Sequence, residues 1–133
     1  MSEEFYMSIL DIQPSQLYIS EMKLKMVSEW LNDRNRNDYE PIPIKKLNDN
    51  IIFTDGHTRA FALYSMGVEN IRCIWDKDEL NWELYQRCVD WCLDEGIQNI
   101  SHLEQKVINH DTYQILWYER CSKLCTELED RSL

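Results

Sequence analysis

Glycine and proline are scarce, three of each in 133 residues. So few chain breakers argue against long linkers and low-complexity stretches, and point to a chain made mostly of regular elements. Basic residues are also in deficit, 14 Lys and Arg against 24 Asp and Glu, for a formal net charge of −10. Both parts share the deficit: 8 basic minus 11 acidic gives −3 over residues 1–75, and 6 minus 13 gives −7 over 76–133. Double-stranded nucleic acid is held largely by Lys and Arg neutralising phosphates, so direct DNA binding is disfavoured. A local cationic pocket on an acidic protein still admits a small anionic ligand. No apolar run approaches the roughly 20 residues that cross a bilayer, so no membrane helix is expected. The opening Met1-Ser2-Glu3-Glu4 lacks the positive charge of a signal peptide. With that start, five cysteines, an odd number, read as reduced thiols, and the expected location is the cytoplasm.

What is present is apolar and aromatic material, 44% hydrophobic with five Trp and seven Tyr, enough for one real core. Residues Met7 to Ile12 read as a first strand, broken at Gln13-Pro14-Ser15. Ser20 then caps a helix that carries Glu21 in its first turn, where the helix dipole favours a carboxylate. Met22, Met26 and Trp30 recur at i, i+4 and i+8, with Val27 and Leu31 beside them, so this helix is amphipathic to about Leu31. A polar loop follows over Asn32 to Glu40. Pro41 to Leu47 reads as an edge-type strand, because Pro43 cannot donate to a ladder. Asn48-Asp49-Asn50 is a turn and Ile51-Ile52-Phe53 a short buried strand. A helix from about Gly56 to Met66 stops at Gly67, and Ile71 to Trp75 is a further strand.

After Asp76 the character changes. Leu80, Leu84, Cys88 and Cys92 recur every four residues in a helix ending at Gly96. Ser101-x-x-Glu104 has the form of a capping box, and Asp111 can cap a last helix through about Leu128. The expectation is an α+β chain: an α/β core over 1–76 and an acidic, all-helical extension over 77–133 packed on it as one domain.

Chemistry concentrates at Asp55-Gly56-His57-Thr58-Arg59. A phosphate needs several donors converging with no side chain in the way. A helix N-terminus offers free backbone N–H groups and a partial positive charge. Gly56 removes the side chain where the backbone comes closest. His57 and Thr58 add short donors, and the planar fork of Arg59 can grip phosphate oxygens bidentately. Asp55 has two readings: a plain N-cap, or a ligand for Mg²⁺ bridging phosphate oxygens. The motif as a whole also has a bland reading, a turn in which Arg59 pairs with a surface carboxylate.

The run Ile52-Phe53-Thr54-Asp55-Gly56-His57-Thr58-Arg59-Ala60-Phe61-Ala62-Leu63, followed by Gly67, resembles the signature helix of the ParB/sulfiredoxin superfamily. Ile12 to Leu17 and the Pro41-Ile42-Pro43-Ile44 strand are similar to that family's opening strand and second strand, so the resemblance covers roughly residues 7–76. It implies a small mixed sheet with helices and a turn that binds nucleotide phosphates: CTP in ParB proteins, ATP in sulfiredoxins, ADP or ATP in the related free-serine kinases. Carried over, Gly56 and Arg59 bind phosphate, with the backbone of His57 and Thr58 assisting. Sulfiredoxins have a catalytic Cys where this chain has His57, so cysteine-sulfinate repair is not expected. ParB proteins follow the domain with a helix-turn-helix, and the helices here are too acidic for that part. The Asp-Gly-His-x-Arg pattern is closer to the small-molecule kinase branch, in which an upstream Glu is the general base. Glu21 is the residue that branch suggests, with Asp55 beside the phosphates; the alternative for Glu21 is a first-turn helix carboxylate.

Three functional readings follow. The first is a nucleotide-binding module, for ATP, ADP or CTP with or without Mg²⁺, whose bound state biases a protein interaction made by the acidic helices. The second is a small phosphotransferase, and the third an interaction protein that has lost its ligand. Cys88-x-x-x-Cys92 and Cys121-x-x-x-Cys125 each continue an apolar stripe and read as core packing, with a four-thiolate metal site or redox chemistry as the alternatives. His57, His102 and His110 are too scattered for a metal pattern. Trp82 and Trp91 are expected to pin the helical extension to the core.

Overall fold

Strands built from alternating apolar residues assemble a four-stranded sheet in the computed structural model, which describes residues 3–31 and 37–131. The strands are β1 (Glu4–Ser8), β3 (Ile42–Leu47), β4 (Asn50–Phe53) and β5 (Asn70–Trp75), in the order β1-β5-β3-β4. β5 runs antiparallel to β1 and parallel to β3, and β3 forms an antiparallel hairpin with β4, so the sheet is mixed. Ile42 and Ile44 of β3 and Ile71 and Cys73 of β5 are fully buried at alternate positions. The fold is α+β with a helical C-terminus.

The first strand begins and ends earlier than expected. Ile9–Asp11 coil into a 3₁₀ turn instead, and Ile9 donates its N–H to the Glu69 carbonyl at 2.9 Å. β3 is an inner strand, not an edge. Pro43 is tolerated there because its carbonyl faces Thr54, accepting the Thr54 N–H at 3.1 Å, just where β4 has ended. The one ladder bond its missing N–H forgoes, to the Thr54 carbonyl, is replaced there by the Tyr85 hydroxyl, which donates at 3.1 Å. Asn48, at φ 57, makes the hairpin turn, a left-handed position that Asn tolerates.

α1 (Glu21–Trp30) starts at Ser20, whose hydroxyl accepts from the Lys23 N–H. Its apolar face is rotated from the expected one: Val27 and Leu31 pack on the core as expected, joined by Leu24, but Met22, Met26 and Trp30 are 48%, 64% and 50% exposed. Two apolar stripes compete on this helix, and the branched one wins. Of the polar loop expected over residues 32–40, residues 32–36 lie outside the described residues. α2 (His57–Ser65) buries Ala60, Phe61, Ala62 and Leu63, and stops at Gly67 with φ 88.

The C-terminal part contains α3 (Trp82–Asp94), a 3₁₀ helix (Ile100–Lys106), α4 (His110–Tyr113), a π-helical stretch (Gln114–Glu119) and α5 (Arg120–Arg131). It is not wholly helical. Strand β6 (Val107–Ile108) pairs in parallel with β2 (Ile19–Ser20), a second small sheet that clips this part to the start of α1. Two caps shift as well. Asn99 rather than Ser101, and Asn109 rather than Asp111, accept the free N–H groups at these helix starts. Trp91 packs edge-on against Trp117, a contact within the C-terminal part itself, and Trp82 is 40% exposed beneath the Lys45 ammonium.

One cluster of buried residues runs from Ile9, Ile42 and Phe53 through Phe61 and Leu63 to Cys88, Cys92, Ile100, Leu103, Tyr113 and Trp117. Gln13 adds a polar tie, donating from Nε2 to the Ile97 carbonyl at 2.8 Å. Because both parts share a core, they are expected to unfold together. Ile100→Ala, at a fully buried position where the C-terminal part meets α2, should lower stability by about 2–5 kcal/mol while leaving one transition. Denaturant curves followed by tryptophan fluorescence and far-ultraviolet dichroism check this; separated midpoints would mean that the two parts fold independently.

Candidate functional site

The path from β4 into α2 takes three residues and is fixed from two sides. On one side, residues 13–15 run along the strand: Gln13 exchanges backbone bonds with Ile51 and Phe53, and the Ser15 hydroxyl donates to the Phe53 carbonyl at 2.7 Å. On the other, the Thr54 hydroxyl donates to Asp76 Oδ2 at 2.7 Å, and the Tyr85 hydroxyl to the Thr54 carbonyl at 3.1 Å. Asp76 thus braces the turn; it does not line the cleft described below. Gly56 follows at φ 75, in the left-handed region, and occupies the N-cap position.

Asp55 is therefore not the N-cap. Its side chain is exposed, and no side chain caps α2 at all. The first helical bond is Ala60 N–H to the Gly56 carbonyl, so the N–H groups of His57, Thr58 and Arg59 precede the ladder. A β-carbon on Gly56 would stand 3.0 Å from Arg59 Nη2 and 3.3 Å from Ile42 Cδ1. Glycine is required twice over here, for its conformation and for the guanidinium folded back over it. Arg59 is steadied by donating from Nη1 to the Glu40 carbonyl at 3.0 Å, and among the described residues no carboxylate forms a salt bridge with it.

These groups open into a cleft of about 370 Å³. Its floor is Asp55 to Arg59; the opposite wall carries Gln16, Lys23, Met26, Val27 and Tyr113. Lys23 was not foreseen from the sequence. It is held in place by donating to the Tyr118 hydroxyl, with its ammonium 4.8 Å from the Tyr118 ring centre and 5.4 Å from that of Tyr113. Two cations, Lys23 and Arg59, thus flank an open helix N-terminus, against one carboxylate, Asp55. A second, larger depression of about 770 Å³ lies at the far end of α2. It has Glu69 and Glu104 on its walls, no Lys, Arg or His, and the negative end of the helix dipole, the wrong sign for a phosphate.

His57 and Glu21 sit otherwise than the sequence suggested. The His57 ring is 4% exposed and accepts the Ser15 N–H on Nε2 at 2.9 Å, so this nitrogen offers no proton to a ligand. Burial pushes its pKa down from 6.5 to about 4, partly opposed by the nearby Asp55 carboxylate. Glu21 is exposed on the first turn of α1 and is not among the residues lining the cleft. It lacks the burial beside a bound phosphate that a general base would need. Among the described residues, no cluster of three or more His, Cys, Asp or Glu is placed to hold a metal, the four helical cysteines included. No described helix is long and apolar enough to cross a membrane.

No protein-family model matches the sequence, and no curated protein matches it. Among solved structures the fold is similar to that of protein Atu1540 from Agrobacterium tumefaciens, with TM-score 0.55 and 18% identity over 78% of this chain and 63% of that one. A Pnob8-like ParB-N domain is also similar, with TM-score 0.47 and 17% identity over 98% of this chain and 52% of that one. The chain thus spans under two thirds of the length of either structure. At such identities the likeness is one of architecture: the chain has a ParB/sulfiredoxin-like fold.

The neutral His57 has a consequence for stability. The unfolded imidazole titrates near 6.5 and the folded one near 4, so between those values only the unfolded chain takes up the proton. The contribution is complete above about pH 6.5 and is lost as the pH falls toward 4, on the order of 3 kcal/mol. His57→Gln keeps an acceptor for Ser15 but does not titrate. Urea midpoints at about pH 7 and pH 4.5 should therefore differ less in the variant than in the wild type; equal differences would mean that His57 is not buried neutral.

Proposed function

We propose that the cleft at the start of α2 binds the phosphates of a nucleotide, ATP, ADP or CTP, and that the bound state biases an interaction of the protein with a partner through its acidic helical part. The observation that carries this is the uncapped first turn of α2. Three free N–H groups under Gly56 meet Arg59 on one side and Lys23 on the other. Buried polar groups are nearly always paired, and a helix end in a cleft calls for a partner of negative charge. The triphosphate or diphosphate supplies several oxygens, enough to engage backbone and both cations at once. Asp55 fits a Mg²⁺ only as a single protein ligand, with phosphate oxygens and water completing the shell, which is an ordinary arrangement for Mg²⁺.

Phosphate binding, and not phosphate transfer, is the reading the geometry favours. A transfer reaction needs a base aimed at the acceptor hydroxyl, and Glu21 lies outside the cleft. The acceptor of a binding module is instead a surface. Residues 76–133 carry −7, the sign of a partner with basic residues.

Titration calorimetry with ATP, ADP and CTP, each with and without Mg²⁺, tests the site. At least one should bind, and Arg59→Ala should weaken it by about tenfold to a hundredfold, the worth of a charge-assisted contact. Lys23→Ala should act in the same direction. No binding to any of the three by the wild type would sink the proposal. Turnover that disappears in Glu21→Ala would replace it with phosphotransfer.

A further inference from the structure

The cysteines left over from that site are not equivalent. Cys73 is buried in β5, where burial pushes its thiol up to about 12, and it has no reason to react. Cys88 on α3 and Cys121 on α5 are different: they line one small cavity from two helices that pack against each other. Its volume is about 170 Å³, and it shares Gln16, Asp55 and His57 with the phosphate cleft. The cavity reaches solvent at the exposed Asp55, so a small oxidant has a route to Cys121, which is itself half-buried. Cys88, 5% exposed, lies behind it.

We infer that Cys88 and Cys121 form a peroxide-sensitive dithiol, which hydrogen peroxide converts to a disulfide joining α3 to α5. Cys121 is the attacking thiol. It is the half-buried one of the two, whereas Cys88 lies behind it. The Cys121 thiolate attacks one peroxide oxygen, the O–O bond breaks, and hydroxide leaves with a sulfenic acid on Cys121. Cys88 sulfur then attacks the Cys121 sulfur, its proton and the sulfenic hydroxyl departing as water. Two thiols are oxidised and one peroxide is reduced to two waters in sum. Cys92 is fully buried on α3, and burial raises its thiol to about 12, so it does not compete. The inference stands apart from nucleotide binding, since it needs no ligand in the cleft.

The test uses the whole native chain, treated with hydrogen peroxide, then alkylated in denaturant and mapped by mass spectrometry. The expected result is the loss of two of the five free thiols, a peptide pair cross-linked through Cys88 and Cys121, and recovery of both thiols with dithiothreitol. Cys88→Ser should leave a sulfenic acid on Cys121 that a dimedone probe captures; Cys121→Ser, at a half-buried position, should abolish the cross-link. Five thiols still alkylatable, a different cysteine pair, or Cys121 driven to sulfinic acid with Cys88 still free would each overturn it. The wild-type map decides even if the Cys88 variant fails to fold.

Discussion

A neutral imidazole turned into the core, away from the cleft, holds the candidate site in place. His57 is the first residue of α2, and its ring turns inward to accept the Ser15 N–H. That single bond ties the start of the helix to the segment after β1, which in turn borrows the backbone of Ile51 and Phe53. A buried N–H without an acceptor would cost on the order of 1–3 kcal/mol, so the ring cannot leave without loosening both segments. With His57 occupied inside, the first turn offers the cleft its backbone groups and the side chains of Thr58 and Arg59. The cleft's polarity is therefore set by main chain and by two long cations at its rim, not by the histidine that its motif displays.

This explains which features were legible in the sequence. The strand, the glycine, the helix after it and its stop at Gly67 are local, each fixed by residues within a few positions. The α+β class followed from them, and the mixed sheet from the family resemblance that the same motif carries. Partners distant in sequence were not legible. His57 finds Ser15 42 residues away, and Lys23 meets Tyr118 95 residues away, so one side chain was given to the ligand and the other overlooked. A signal for Lys23 existed: it is two residues past Glu21, on a helix already suspected of facing the turn.

Periodicity also misled where two patterns share one helix. Met22, Met26 and Trp30 satisfy helical spacing as well as Leu24, Val27 and Leu31 do. What separates them is the location of the sheet, which no local window contains. Flexible methionines and a large indole are left outward, and the branched side chains go to the core. Pro43 was misplaced for a similar reason. Its missing donor argues for an edge only where the carbonyl opposite would go unpaired, and here the Thr54 carbonyl accepts from the Tyr85 hydroxyl instead.

The excess of negative charge and the cationic cleft are two sides of one arrangement. Acidic residues spread over the helical surface repel a free anion at long range, and salt screens that repulsion within about 10 Å. Inside the cleft the balance reverses, because Lys23 and Arg59 are each held at close quarters, by aromatic rings and by a carbonyl, and need no reorganisation to meet a phosphate. An anion that enters is thus chosen by short-range geometry rather than drawn by net charge. On the proposed reading, such a site would take a ligand with several oxygens at fixed spacing rather than a lone ion, since only the former reaches the backbone and both cations at once. Gly56 supports this arrangement: any side chain there would strain the left-handed turn at φ 75 and crowd Arg59 Nη2 at 3.0 Å.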